Sequence, residues 1–110
     1  GFRTRDGPRG ITCLLAGQFG FGHPCPQDGS SPGFPAQNLR AMTWDVHLEE
    51  EFGSAAGEIA KLLDIDIGLL PCVNILPWLN AGRGQESYGE DPLFSGKMAA
   101  AVIKGIQSKG

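Results

Sequence analysis

Between Asp45 and Leu63 apolar residues recur at spacings of three and four. Leu48, Phe52, Ala55, Ala56, Ile59 and Leu63 form one stripe, the pattern of an amphipathic helix. Asp45 stands ahead of it as an N-cap, and Glu49, Glu50 and Glu51 lie near the positive end of the helix dipole. Glu58, Lys61 and this acidic cluster fall largely off the stripe, as a solvated face should. From Ile65 to Ile75 the pattern becomes a near-continuous apolar run, interrupted by Asp66 and Asn74. Such a run predicts a strand buried on both faces, the habit of parallel sheets covered by helices. After a polar loop over Gly82 to Pro92, a second helical stripe runs through Phe94, Met98, Ala101, Val102 and Ile106. Asp91 serves as its cap, Pro92 suits its first position, and Gly110 lies where a glycine stop is expected. Ahead of these elements, Gly1 to Pro35 is rich in glycine and proline with one short apolar patch at Ile11 to Ala16, and Gly17 to Gly33 reads as a flexible loop. Helix, buried strand, polar loop and helix in this order predict an α/β fold with parallel strands.

The chain has 110 residues, near the commonest domain size. Its net charge of −3 and scattered Lys and Arg residues give no basic footprint, which argues against nucleic acid as a partner. No apolar run approaches membrane-spanning length, so no membrane partner is expected. The chain opens on Gly1-Phe2-Arg3 rather than on methionine, which reads as the interior of a longer sequence. Cys13, Cys25 and Cys72 are odd in number and lack Cys-x-x-Cys spacing, so at most one intrachain disulfide can form and neither a metal nor a cofactor is expected. The glycine-rich Gly17-Gln18-Phe19-Gly20-Phe21-Gly22 lacks the G-x-G-x-x-G order of a dinucleotide loop. P-loop, nucleophile-elbow and zinc-protease motifs are also missing.

The chemistry concentrates in Gly82-Arg83-Gly84-Gln85-Glu86-Ser87-Tyr88-Gly89-Glu90-Asp91-Pro92, a strand-to-helix loop of the kind on which α/β enzymes build polar sites. Arg83 offers a planar fork of donors, and Glu86 offers acceptors for that fork or for a hydroxyl. A neutral polyhydroxylated ligand needs such alternating groups; a surface loop closed by an ion pair would use the same residues. Asp6, in Asp6-Gly7-Pro8-Arg9-Gly10, can accept two sugar hydroxyls or satisfy its own backbone in an Asx-turn. Asn74 and Asn80 can bond a ligand or close the turn after the apolar run. Trp44, Trp78 and Tyr88 can stack on a sugar face or pack into core and rim.

Taken in order, Asp6-Gly7-Pro8-Arg9-Gly10, Phe34-Pro35, Thr43-Trp44-Asp45, Leu70-Pro71-Cys72-Val73-Asn74-Ile75, the Gly82–Pro92 loop and Gly105-Ile106-Gln107-Ser108-Lys109-Gly110 resemble the N-terminal barrel domain of glycoside hydrolase family 3, the beta-glucosidase and beta-xylosidase family. The resemblance implies a partial (β/α)8 TIM-like barrel covering roughly its first three strand-helix units, since a whole barrel takes about 250 residues. It implies that Asp6 and Arg83 bind substrate and that Glu86 braces the arginine. Retaining cleavage of a beta-linked oligosaccharide or glycoside is the implied activity, with two carboxyl groups spaced for a glycosyl-enzyme intermediate.

The same resemblance places the nucleophile and the acid/base outside this chain, along with a Lys-His pair expected just past Gly110. Pro77-Trp78-Leu79-Asn80-Ala81 stands where related sequences often carry an Arg-His-Pro-like stretch, so the polar chemistry there differs. The expected function is thus a fragment of a retaining glycosidase, inactive by itself and prone to self-association through exposed apolar surface. A non-catalytic carbohydrate-binding or interaction module of α/β class is the alternative. A small α/β enzyme with Glu86 or Glu90 as general base is a third reading, which needs that carboxylate buried beside a pocket.

Overall fold

The computed structural model describes residues 16–17, 33–78 and 80–110. Its elements, in chain order, are β1 (Ala16–Gly17), α1 (Gln37–Ala41), α2 (Val46–Leu62), β2 (Ile67–Gly68), a 3-10 turn (Gly84–Glu86) and α3 (Pro92–Gln107). The two short strands pair in parallel, Ala16 opposite Ile67 and Gly17 opposite Gly68.

Helix α2 begins as its sequence predicts. The Asp45 carboxylate accepts from the amides of His47 and Leu48 at 2.9 and 3.2 Å, two of the donors a helix start leaves unpaired. It ends in a Schellman arrangement: Ile65 N–H bonds the Ala60 carbonyl at 2.9 Å and Asp64 N–H bonds that of Lys61 at 3.2 Å. Asp64 takes the left-handed conformation this ending requires, at φ 55°. Helix α3 starts on the Asp91 cap, which accepts from Phe94 N–H at 2.6 Å, with Pro92 at its first position.

The buried face of α2 is rotated from the predicted stripe. Phe52 and Ala56 are buried, but their companions are Glu49, Gly53, Gly57 and Ala60, while Leu48 is exposed and Ala55, Ile59 and Leu63 are half-buried. The cause is the contact with α3. Gly53 faces the Val102 backbone, Gly57 the Ile106 backbone, and Gly105 the Glu50–Ser54 backbone, so the two helices run in the same direction and touch main chain to main chain. Large side chains at those positions would hold the helices apart, and the apolar residues therefore flank the crossing. On α3 the predicted face holds: Met98, Ala101 and Val102 are buried, and Phe94 and Ile106 pack partly buried against the core.

The strand expected over Ile65 to Ile75 is confined to β2, and it is not buried on both faces. Ile67, Leu69, Val73 and Ile75 are exposed. Beyond β2 the segment finds other hydrogen-bond partners. The Gln37 side chain donates to the Cys72 carbonyl at 2.6 Å and accepts from its amide at 3.3 Å, and Leu76 N–H bonds the Gly89 carbonyl at 3.2 Å. A side-chain amide and one loop carbonyl thus pair the Cys72 and Leu76 backbone without building a ladder.

Candidate functional site

The segment 72–76 and the loop 83–89 lie against each other. Gln37 holds the first from α1, the Leu76–Gly89 bond joins the two, and the Ser87 hydroxyl sits 3.6 Å from Cys72 Sγ. The Cys72 thiol in turn donates to Asn74 Oδ1 at 3.1 Å. The turn Gly84–Glu86 is closed by Glu86 N–H to Arg83 C=O at 3.0 Å and Ser87 N–H to Gly84 C=O at 3.2 Å. This tight turn brings residues three apart onto one side, so Arg83 and Glu86 meet.

Their pairing is two-pronged. Arg83 Nε donates to Glu86 Oε1 at 2.9 Å, and Arg83 Nη2 lies 2.7 Å from Oε2. The Glu86 side chain is 11% exposed and the Arg83 side chain 69% exposed. A sunken carboxylate therefore orients a guanidinium whose remaining donors face outward. The hydrogen bond to Glu86, its negative charge and a smaller contribution from Cys72 hold the Arg83 proton more tightly than usual. Such a fork is fully charged and fixed in plane, which suits hydroxyl recognition.

Tyr88 belongs to the interior. It is 5% exposed, packs with Ala41, Met98 and Ala99, and donates its hydroxyl to Glu49 Oε1 at 2.7 Å. It is therefore not a surface for stacking sugars. Burial, then the hydrogen bond to Glu49, pushes its phenol pKa well above the ordinary value. Glu49 is also gripped by Arg40, whose Nε and Nη2 donate to the two carboxylate oxygens at 2.9 and 3.1 Å. Arg40 further donates to the Pro35 carbonyl at 2.6 Å, and its guanidinium carbon lies 3.6 Å from the centre of the Phe52 ring. Glu49 was expected on the solvated face; it is 1% exposed, because the Arg40 fork and the Tyr88 hydroxyl replace its water.

Trp44 is exposed and lies across Phe94, with ring centroids 4.4 Å apart, whereas Trp78 is exposed beside two hollows of about 440 and 340 Å³. Asn74 and Asn80 line the larger one, and Glu90 the smaller, exposed and on its rim. Asp6, Cys13 and Cys25 lie outside the described residues, so the meeting of Asp6 with Arg83 is not among the contacts seen. Among the described residues no cluster of His, Cys, Asp and Glu is arranged to hold a metal, and no helix is long and apolar enough to cross a membrane.

Arg40, Glu49 and Gln37 were missed from sequence. One signal was available: Glu49, Phe52, Ala56 and Ala60 recur at helical spacing, which puts the glutamate on the buried face.

The family described as glycosyl hydrolase family 3 N terminal domain matches residues 25–110. The chain belongs to that family. It is 39% identical over 107 residues to beta-glucosidase A of Butyrivibrio fibrisolvens, a match spanning 96% of this chain and 12% of that protein. With thermostable beta-glucosidase B of Acetivibrio thermocellus the identity is 40% over 77 residues, 70% of this chain and 10% of that protein. The structure superposes on beta-glucosidase 3B from Thermotoga neapolitana in complex with glucose, with a TM-score of 0.76, 33% identity, and coverage of 87% of this chain and 14% of that one. It also matches a beta-glucosidase from Paenibacillus barengoltzii, with a TM-score of 0.77, 30% identity, and coverage of 88% and 10%. The chain thus spans about an eighth of the relatives it matches and forms part of a family 3 N-terminal domain.

Proposed function

We propose that this family 3 segment belongs to a retaining glycosidase that hydrolyses terminal beta-linked glucosyl or xylosyl residues. In this reading it covers roughly the first three strand-helix units of a TIM-like barrel. It supplies part of the subsite that grips the terminal sugar, with Arg83 and Asp6 bonding hydroxyls and Glu86 bracing the arginine. The nucleophile and acid/base come from elsewhere in the protein, so the 110 residues alone cleave nothing.

The observation that carries the reading is the Arg83–Glu86 pair: a charged donor fork fixed by a sunken carboxylate and open to solvent. Glu86 takes two of the guanidinium's donors and leaves the others open to a ligand. The glucose complex of the Thermotoga neapolitana relative supports a glucose-like ligand.

The test begins with the coding sequence around this segment, which should contain an aspartate nucleophile on a later strand. The full gene product should release the aryl group from aryl beta-glucosides or beta-xylosides. Arg83→Ala and Asp6→Ala should each weaken binding about tenfold or more, the scale of one lost charge-assisted hydrogen bond. Unchanged sugar affinity in both variants would remove the reading.

A further inference from the structure

We infer that Tyr88 is a positioning residue for Arg83, acting through its hydrogen bond to the Glu49 carboxylate that Arg40 holds in place. The inference rests on the sugar-binding reading of Arg83.

The loop reaches the helix layer through Tyr88. Its ring fills a buried cluster with Ala41, Met98 and Ala99, which fixes how deep the loop sits. A phenylalanine ring would fill the same space. What the hydroxyl adds is direction: the 2.7 Å bond to Glu49 Oε1 fixes where the ring edge points. The acceptor is itself immobile, because Arg40 engages both carboxylate oxygens and is tied in turn to the Pro35 carbonyl and the Phe52 ring. A short, charge-assisted hydrogen bond to a fixed partner makes a stiff anchor.

From this anchor to the guanidinium the path is short. Tyr88 follows Ser87, which is buried against Cys72, and Ser87 follows Glu86, which holds Arg83 by two contacts. The 3-10 turn between Arg83 and Glu86 is closed by its own hydrogen bonds, which tie the two residues together. A shift of the ring edge is therefore carried to the Glu86 carboxylate and on to the exposed fork. Misplacement well below 1 Å is enough to weaken a hydrogen bond to a sugar hydroxyl.

A double-mutant cycle on the full gene product tests the idea, with the dissociation constant of D-glucose read by calorimetry and folding followed by thermal melting. Tyr88→Phe is expected to weaken glucose binding about five- to tenfold while Arg83 is present, and to have almost no further effect in an Arg83→Ala background. A residue that only stabilises the fold would lower the melting temperature equally in both backgrounds without this dependence on Arg83. Glu49→Gln removes the charge from the bond to the phenol and sets an amide nitrogen against an Arg40 donor, so it is expected to weaken glucose binding severalfold with the same dependence on Arg83, and it serves as the second probe if Tyr88→Phe fails to fold. Effects of Tyr88→Phe and Arg83→Ala that simply add, or a Tyr88→Phe protein with unchanged glucose affinity, would overturn the inference. Loss of affinity in both Tyr88→Phe and Glu49→Gln with none in Arg83→Ala would instead overturn the sugar-binding reading on which it rests.

Discussion

The Tyr88 hydroxyl donates to Glu49 Oε1 at 2.7 Å, joining residues 39 positions apart. One partner closes the polar loop and the other sits in the first turn of α2, so this bond fastens the candidate site to the helix pair beneath it. Arg40 completes the arrangement from α1, which brings three separate parts of the chain to a single carboxylate.

The first prediction concerns alkaline pH. An unfolded tyrosine ionises near 10.0, whereas burial and the Glu49 carboxylate keep the Tyr88 phenol protonated well beyond that in the folded chain. Below pH 10 both states carry the proton and stability does not depend on this group. Above it the unfolded chain binds fewer protons, so stability should fall by up to about 1.4 kcal/mol per pH unit from this residue. Tyr88→Phe should lack that part of the slope. Urea melts of both proteins between pH 9 and 11 measure the difference, and parallel slopes would refute it.

Removing one member of the buried ion pair should be costly. Glu49→Ala removes the buried carboxylate that two Arg40 donors and the Tyr88 hydroxyl share, and is expected to lower stability by roughly 3–5 kcal/mol. Glu49→Gln, which keeps one acceptor oxygen at this position, should cost less. The shift of the urea midpoint at constant slope reads both values.

Two glycines of α3 should respond in opposite directions. A Cβ at Gly105 would meet the Glu50 carbonyl and the Ser54 and Gly53 backbone, none of which can swing aside. Gly105→Ala should therefore destabilise by about 1–3 kcal/mol or more, outweighing its gain in helix propensity. At Gly96 nothing lies within 4 Å, so Gly96→Ala should stabilise by about 0.5–1 kcal/mol. Thermal melting of the two variants checks the pair of signs.

The isolated 110-residue chain should self-associate. Leu62, Met42, Trp78 and Leu93 are 85, 73, 76 and 68% exposed, and burying such side chains against a second copy favours association. Sedimentation velocity across a range of concentrations should show the mean mass rising. A single monomeric boundary at all concentrations would contradict the expectation.

Both long helices were legible in the sequence because their starts are local chemistry: Asp45 and Asp91 each sit one residue before the helix whose amides they cap. The Arg83–Glu86 pair was legible for the same reason, since three residues of spacing in a glycine-flanked turn nearly dictate the contact. The rotation of the α2 face was not. Glycines at 53, 57 and 105 carry no apolar signal, yet close helix approach buries all three. The strand was over-read because an apolar run specifies burial only if neighbours exist on both sides, and Gln37, thirty-five residues away, took the role of the neighbour at Cys72. Arg40 and Glu49 are nine apart on different helices, a distance no periodicity rule connects.

The glycine contact between α2 and α3 also acts as an index mark. If either helix advanced by one residue, a side chain from among Phe52, Ser54, Ala56, Glu58, Lys104 and Ile106 would be driven into the other's main chain at the crossing, so intermediate alignments are shut out by steric exclusion rather than by weak preference. The loops at the two helix starts, Thr43–Asp45 and Arg83–Asp91, therefore inherit a fixed mutual offset. The placement of Arg83 is in this way decided partly by three residues that have no side chain at all.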